Sequence, residues 1–161
     1  MPKVYVTTDK KHLEDNNPKY WIDLKEHTKE SFYKLCAELH SDEEDPHCFV
    51  VDTEDVPFEF HHAGCNIVTD NIWEWLELNG KDKVLLAKYM EAKGDDEQCI
   101  EDAEYNFCGT APSNITFIQN FFEKQEPIGT DVNWEKVWSV MREFFYTTER
   151  GNKGTIWYFK G

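Results

Sequence analysis

The chain has 161 residues, of which 32 are Asp or Glu and 17 are Lys or Arg, for a formal net charge of −15. With 40% hydrophobic and 15% aromatic residues it has ample material for a core, so the charge belongs to a folded polyanion and not to a disordered acidic tail. Such a balance repels nucleic acid and membrane surfaces and attracts basic partners, which sets direct DNA or RNA binding aside.

In chain order, Val4, Tyr5 and Val6 predict a first strand, and Tyr20-Trp21-Ile22-Asp23-Leu24 a second, joined by a polar loop containing Asn16-Asn17-Pro18. Thr28 is placed to cap a helix from about Lys29 to His40, because Phe32, Leu35, Cys36 and Leu39 fall at i, i+3, i+4 and i+7. Cys48-Phe49-Val50-Val51 predicts a third strand, and Pro57 an exit loop. Residues 1–62 are expected to form a small antiparallel sheet with one helix. From Thr69 the pattern turns helical, through Ile72, Trp73, Trp75 and Leu76 and then Val84, Leu85, Tyr89 and Met90, with Gly80 and Gly94 as interruptions. Cys99, Ile100, Ala103 and Phe107 make a further short stripe, which completes a helical middle subdomain over 63–108. Ser113 caps a helix carrying Ile115, Ile118, Phe121 and Phe122 that ends before Pro127. Trp134, Val137, Trp138, Met141 and Phe145 predict another helix; a Gly151-Asn152-Lys153-Gly154 turn leads to a final strand, Thr155-Ile156-Trp157-Tyr158-Phe159. Residues 109–161 are thus a third subdomain, and the expected class is α+β.

No window approaches the roughly 18 consecutive apolar residues of a membrane-spanning helix, and nothing near Met1 reads as a secretory leader. Cys36, Cys48, Cys65, Cys99 and Cys108 are odd in number and widely spaced, as reduced thiols of a cytoplasmic protein are. His61, His62 and Cys65, with His40, His47 and Cys48, fit no standard zinc spacing, so no metal is expected. There is no P-loop, no dinucleotide fingerprint and no recognisable motif around any cysteine, so neither a cofactor nor enzyme chemistry is expected. Trp73, Trp75, Trp134, Trp138 and Trp157 read as core residues.

The informative pattern is the distribution of carboxylates. A first block comprises Asp42, Glu43, Glu44, Asp45, Asp52, Glu54, Asp55 and Glu59, continued by Asp70, Glu74 and Glu77, with no Lys or Arg between His40 and Lys81. A second holds Asp95, Asp96, Glu97, Glu101, Asp102 and Glu104, with Glu123 and Glu126 beyond it. Like charges three or four apart on a helix cost a few tenths of a kcal/mol per pair, so a chain that keeps them has a use for them or simply a solvated face. Duplex DNA carries about one negative charge per ~1.7 Å, so 15 net charges match roughly 25 Å of duplex and a homodimer roughly 50 Å.

Three segments carry a family resemblance: Val4-Tyr5-Val6-Thr7-Thr8; then Tyr20-Trp21-Ile22-Asp23-Leu24; then Cys36-Ala37-Glu38-Leu39-His40-Ser41-Asp42-Glu43-Glu44-Asp45-Pro46, followed by Asp52-Thr53-Glu54-Asp55-Val56-Pro57. In this order they resemble the ArdA antirestriction proteins over about the first 60 residues. Ile100 to Cys108, and Trp134 to Tyr146 with the terminal aromatic strand, are similar to later elements of that family, while 123–134 keeps only a proline and the general spacing. The resemblance implies an elongated, homodimeric DNA mimic of three small subdomains, encoded on phages or mobile elements and acting in the bacterial cytoplasm. Its partner would be the methyltransferase-specificity core of a type I restriction-modification enzyme, with no active site and no cofactor of its own.

Overall fold

In the computed structural model, which describes residues 1–14, 20–61, 67–94, 97–124, 129, 131–148 and 154–161, strand β1 (Lys3–Thr8) buries Val4 and Val6 completely. The chain then turns into a short helix, α1 (Asp9–Leu13), whose N-cap is Thr8: its Oγ1 accepts a hydrogen bond from the Lys11 amide at 3.3 Å. Strands β2 (Tyr20–Asp23) and β3 (Cys48–Glu54) flank β1, both antiparallel to it, in the order β2-β1-β3. Val4 lies opposite Ile22 and Thr53, and Tyr5 opposite Trp21 and Asp52. Val51 is left over between the pairs Val6–Val50 and Tyr5–Asp52, so β3 carries a bulge there.

Helix α2 (Lys29–Leu39) starts at a capping box, in which the Thr28 amide donates to Ser31 Oγ at 2.9 Å and the Ser31 amide donates back to Thr28 Oγ1 at 3.3 Å. Its buried stripe is Phe32 and Cys36. Helix α3 (Ile72–Glu77) brings Trp73 to 5.7 Å from the Phe32 ring and Trp75 to 5.2 Å from the Phe60 ring. The Trp75 indole N–H is satisfied by the Lys83 carbonyl at 3.1 Å. Helix α4 (Gly80–Lys93) spans the point at which the chain divides into two compact units, Met1–Lys83 and Val84–Gly161.

The second unit continues with α5 (Ile100–Asn106), β4 (Phe107–Ala111), α6 (Asn114–Glu123), α7 (Trp134–Met141), β5 (Phe145–Thr147) and β6 (Ile156–Lys160). Its sheet is antiparallel, ordered β4-β6-β5. The core is aromatic: Phe117 stacks on Tyr158 with centroids 3.7 Å apart and planes 2° apart, and Phe121, Trp138 and Phe145 pack around the pair. The Tyr158 hydroxyl donates to Asn114 Oδ1 at 2.8 Å, and burial pushes its pKa up to about 12. A second cluster joins Leu85, Tyr89, Ala103 and Phe159.

The α+β class therefore holds, as do the first three expected strands, the helix after Thr28 and the terminal strand. Several details differ. The chain forms two units and not three segments, and the expected border at 108/109 runs through β4, which is hydrogen-bonded to β6. Phe107 and Phe145 keep the spacing of the preceding helical stripes but lie on strands, because the helices end at Asn106 and Met141. On α6 the fully buried residues are Phe117 and Ile118, so the stripe that includes Ile115 and Phe122 misses the central ring. The helix expected to stop before Pro127 does so, since α6 ends at Glu123, while the loop with Asn16-Asn17-Pro18 and the turn residues Gly151, Asn152 and Lys153 lie outside the described residues.

Phe117→Ala removes a buried ring that its neighbours cannot replace and is expected to cost about 3–5 kcal/mol. Ile115→Ala, on the half-exposed side of the same helix, is expected to cost clearly less. Urea unfolding of the two variants checks the order, and equal losses would mean that α6 faces the core differently.

Candidate functional site

Two sets of carboxylates separate once the fold is in view: those that hold the first unit together and those that face solvent. The first set gathers around Lys11 on α1, just after β1. Its side chain is only 12% exposed, and its ammonium reaches Asp42 Oδ1 at 2.7 Å and Glu43 Oε1 at 3.6 Å and contacts His40 Nδ1 at 3.0 Å. Thr8 Oγ1 donates to the same Glu43 oxygen at 2.6 Å. The Glu43 side chain is 9% exposed, so it is an internal counter-ion and not a presented charge.

An ammonium can only donate, so His40 Nδ1 must accept and the ring proton sits on Nε2, a buried atom without a hydrogen-bond partner among the described residues. Burial and the adjacent Lys11 charge both disfavour a second proton, and the His40 pKa is depressed. Burial of Lys11 works against its own charge, but Asp42 and Glu43 outweigh it and hold the amine above the usual lysine range. Asp42 is lowered in turn by its hydrogen bond to Lys11.

The remaining carboxylates of the first block are placed as follows. Glu44 and Asp45 are exposed on the turn after α2, and neither has an ion pair among the described residues. Cross-strand pairing puts Tyr5, Trp21 and Asp52 on one face of the sheet and Lys3, Asp23 and Glu54 beside them on that same face. Trp21 is 44% exposed and lies 5.7 Å from the Tyr5 ring, so this face is both acidic and aromatic. Glu54 is 3.9 Å from Lys3, and Asp55, at a positive φ of 56°, is paired at 2.6 Å with the Met1 amino group, which lowers its pKa. Asp70 pairs with Lys29 at 2.8 Å on the α2 side of the unit. Glu59 and Glu74 are half-buried and Glu77 is exposed. Asp23 is a member of the sheet face that carboxylate runs in the sequence do not single out, since it stands alone within an apolar strand.

In the second unit α5 buries Ala103 and exposes Glu101, Asp102 and Glu104, none of them in an ion pair among the described residues. Tyr105 is 78% exposed beside them, with Lys160 Nζ 5.5 Å from its ring centre. Glu97 is exposed ahead of this helix and Glu123 at the end of α6. Asp95, Asp96 and Glu126 lie outside the described residues.

Among the described residues no group of three or more His, Cys, Asp and Glu side chains is arranged to hold a metal. Of the histidines and cysteines considered for one, His40 is committed to Lys11, His47 contacts Asp9 at 2.7 Å and His61 packs edge-on against Phe58, while His62 and Cys65 lie outside the described residues. Cys36, Cys48 and Cys108 are in no disulfide among the described residues, and burial pushes Cys36 up to about 12 and also raises Cys48 and Cys108, the opposite of an activated nucleophile. Among the described residues no helix is long and apolar enough to cross a membrane.

Comparison with protein-family models, with curated proteins and with solved structures found no match.

Two outcomes follow from the Lys11 cluster. Glu43→Ala leaves Lys11 and Thr8 short of their partner and is expected to cost about 1–3 kcal/mol, whereas Glu44→Ala should stay within about 0.5 kcal/mol, by urea unfolding. Because the His40 pKa is lower folded than unfolded, the unfolded chain takes up the extra proton first. Stability should therefore fall as pH drops from about 6.5 through the depressed His40 value, and His40→Gln should flatten that window. A wild-type stability that rose on acidification over this range would contradict the assignment.

Proposed function

We propose that this protein is a DNA mimic that inhibits a DNA-binding enzyme, and that the target is the methyltransferase-specificity core of a type I restriction-modification system. The observation that carries the reading is that each unit has exposed carboxylates without a cation among the described residues: Glu44, Asp45 and Asp52 in the first, Glu101, Asp102 and Glu104 in the second. A Lys- and Arg-lined groove recognises such oxygens as it recognises phosphates, through charge, and with the same sensitivity to salt. Charge alone suits any DNA-binding groove; the choice of a type I enzyme rests on the resemblance of the first 60 residues to ArdA proteins. On this reading the protein works as a homodimer in the bacterial cytoplasm, without cofactor or catalysis, and blocks methylation and restriction together.

The test is competition between this protein and labelled cognate duplex for a purified type I methyltransferase core, at two salt concentrations. Stoichiometric displacement that weakens at higher salt is expected. In the combined variant Glu44→Lys, Asp45→Lys, Glu101→Lys and Asp102→Lys, inhibition should fall by roughly tenfold or more, while each single reversal has a small effect. Loss of inhibition in one single variant, with the combined variant of the other sites still active, would mean a local contact and not mimicry. Failure to displace the duplex at either salt would remove type I enzymes as the target.

A further inference from the structure

The first unit also contains a cationic groove, which is unexpected in so acidic a chain. It has a volume of about 770 Å³ and runs between the segment before α2 and the helix pair α3–α4, within the size range of small-ligand sites. Leu24, Trp73, Leu76 and Leu78 give it apolar walls, and three lysines, Lys25, Lys29 and Lys83, also line it. His27 and one carboxylate, Glu77, complete the polar lining.

The use of the lysines is the decisive point. Lys3, Lys11, Lys29 and Lys34 of this unit are each paired with a carboxylate, as expected where Asp and Glu outnumber cations. Lys25 and Lys83 have no ion pair among the described residues, although 32 carboxylates are available in the chain. Lys10 and Lys81 are also without an ion pair there, but they do not line this groove. Lys83 is held in place by donating to the Leu76 carbonyl at 3.0 Å and by lying 4.8 Å over the Trp75 ring. Burial and then the nearby Lys25 charge lower its pKa, a mutual repulsion that only partly meets relief from Glu77. Two cations kept close together in an apolar-walled groove are a poor arrangement for the empty protein and a good one for an anion lying between them.

We propose that this groove is a binding site for a small organic anion, a phosphate or carboxylate joined to an apolar or aromatic body, with the acidic group between Lys25 and Lys83 and the body against Trp73 and the leucines. The site belongs to the first unit alone and does not depend on the carboxylate surface described above.

Titration calorimetry of the whole chain with phenyl phosphate at low ionic strength tests this. One saturable site is expected, with inorganic phosphate binding more weakly. Lys25 is exposed and its side chain supports no described contact in the fold, so Lys25→Gln should fold normally and weaken phenyl phosphate by roughly tenfold or more. Lys34→Gln removes the same charge from a lysine paired with Glu38 outside the groove and should leave binding unchanged. The proposal is overturned if wild type gives no saturable binding, if Lys25→Gln matches wild type, or if Lys34→Gln weakens binding equally.

Discussion

Fifteen surplus negative charges in a chain of 161 residues repel one another in any compact arrangement, and the placement of the few cations answers that constraint. Exposed ion pairs contribute little, because water already screens both partners. Lys11 is different: its side chain is largely covered, and its ammonium serves Asp42, Glu43 and His40 together and ties the turn after α2 to α1. The chain amino group does a similar, weaker service for Asp55 at the other end of the sheet. With the structural carboxylates neutralised locally, the remainder are left to solvent, where their repulsion is least costly.

Neither unit has many residues with which to build a core, and both rely on rings. Phe117, Phe121, Trp138, Phe145 and Tyr158 gather in the second unit, and Phe32, Phe60, Trp73 and Trp75 in the first. Large aromatic side chains bury more area per residue than aliphatic ones and orient one another, so a few suffice to fix a small sheet against its helices. Tyr158 shows the condition attached to this choice: its hydroxyl is carried into the core and needs Asn114 at the start of α6 as acceptor.

Helix α2 was legible because cap and stripe coincide: Thr28 marks its start, and Phe32 and Cys36 fall on the face that is buried. Helix α1 was not, since Asp9–Leu13 buries no residue and is held mainly by the Thr8 cap and the pairing of Lys11. Strand β4 escaped because Phe107 continues the spacing of Ile100 and Ala103, while Gly109, with φ of +123°, is a residue that weakens strand propensity and here sits at a register shift. The helix before it stops at Asn106, whose amide donates to the Asp102 carbonyl and to the Tyr89 hydroxyl, a tertiary contact no local pattern contains. The candidate surface was legible in composition and not in detail. Glu43 and Glu44 are adjacent and chemically alike, yet one is covered beside Lys11 and the other is exposed, because only the fold decides which side of the turn meets α1.

Strand β3 lies at the edge of its sheet, with one row of backbone groups bonded to β1 and the other row in no ladder among the described residues. An open row is a template on which a second chain can add as a further strand, the usual beginning of aggregation. Here Asp52 and Glu54 punctuate the strand, Asp55 closes it and Val51 bulges out of register. A copy of the same strand approaching it would meet carboxylate with carboxylate and a mismatched ladder. The acidity of this segment thus acts as a barrier to self-association through the sheet edge, and lets so aromatic a protein carry a strand paired on one side.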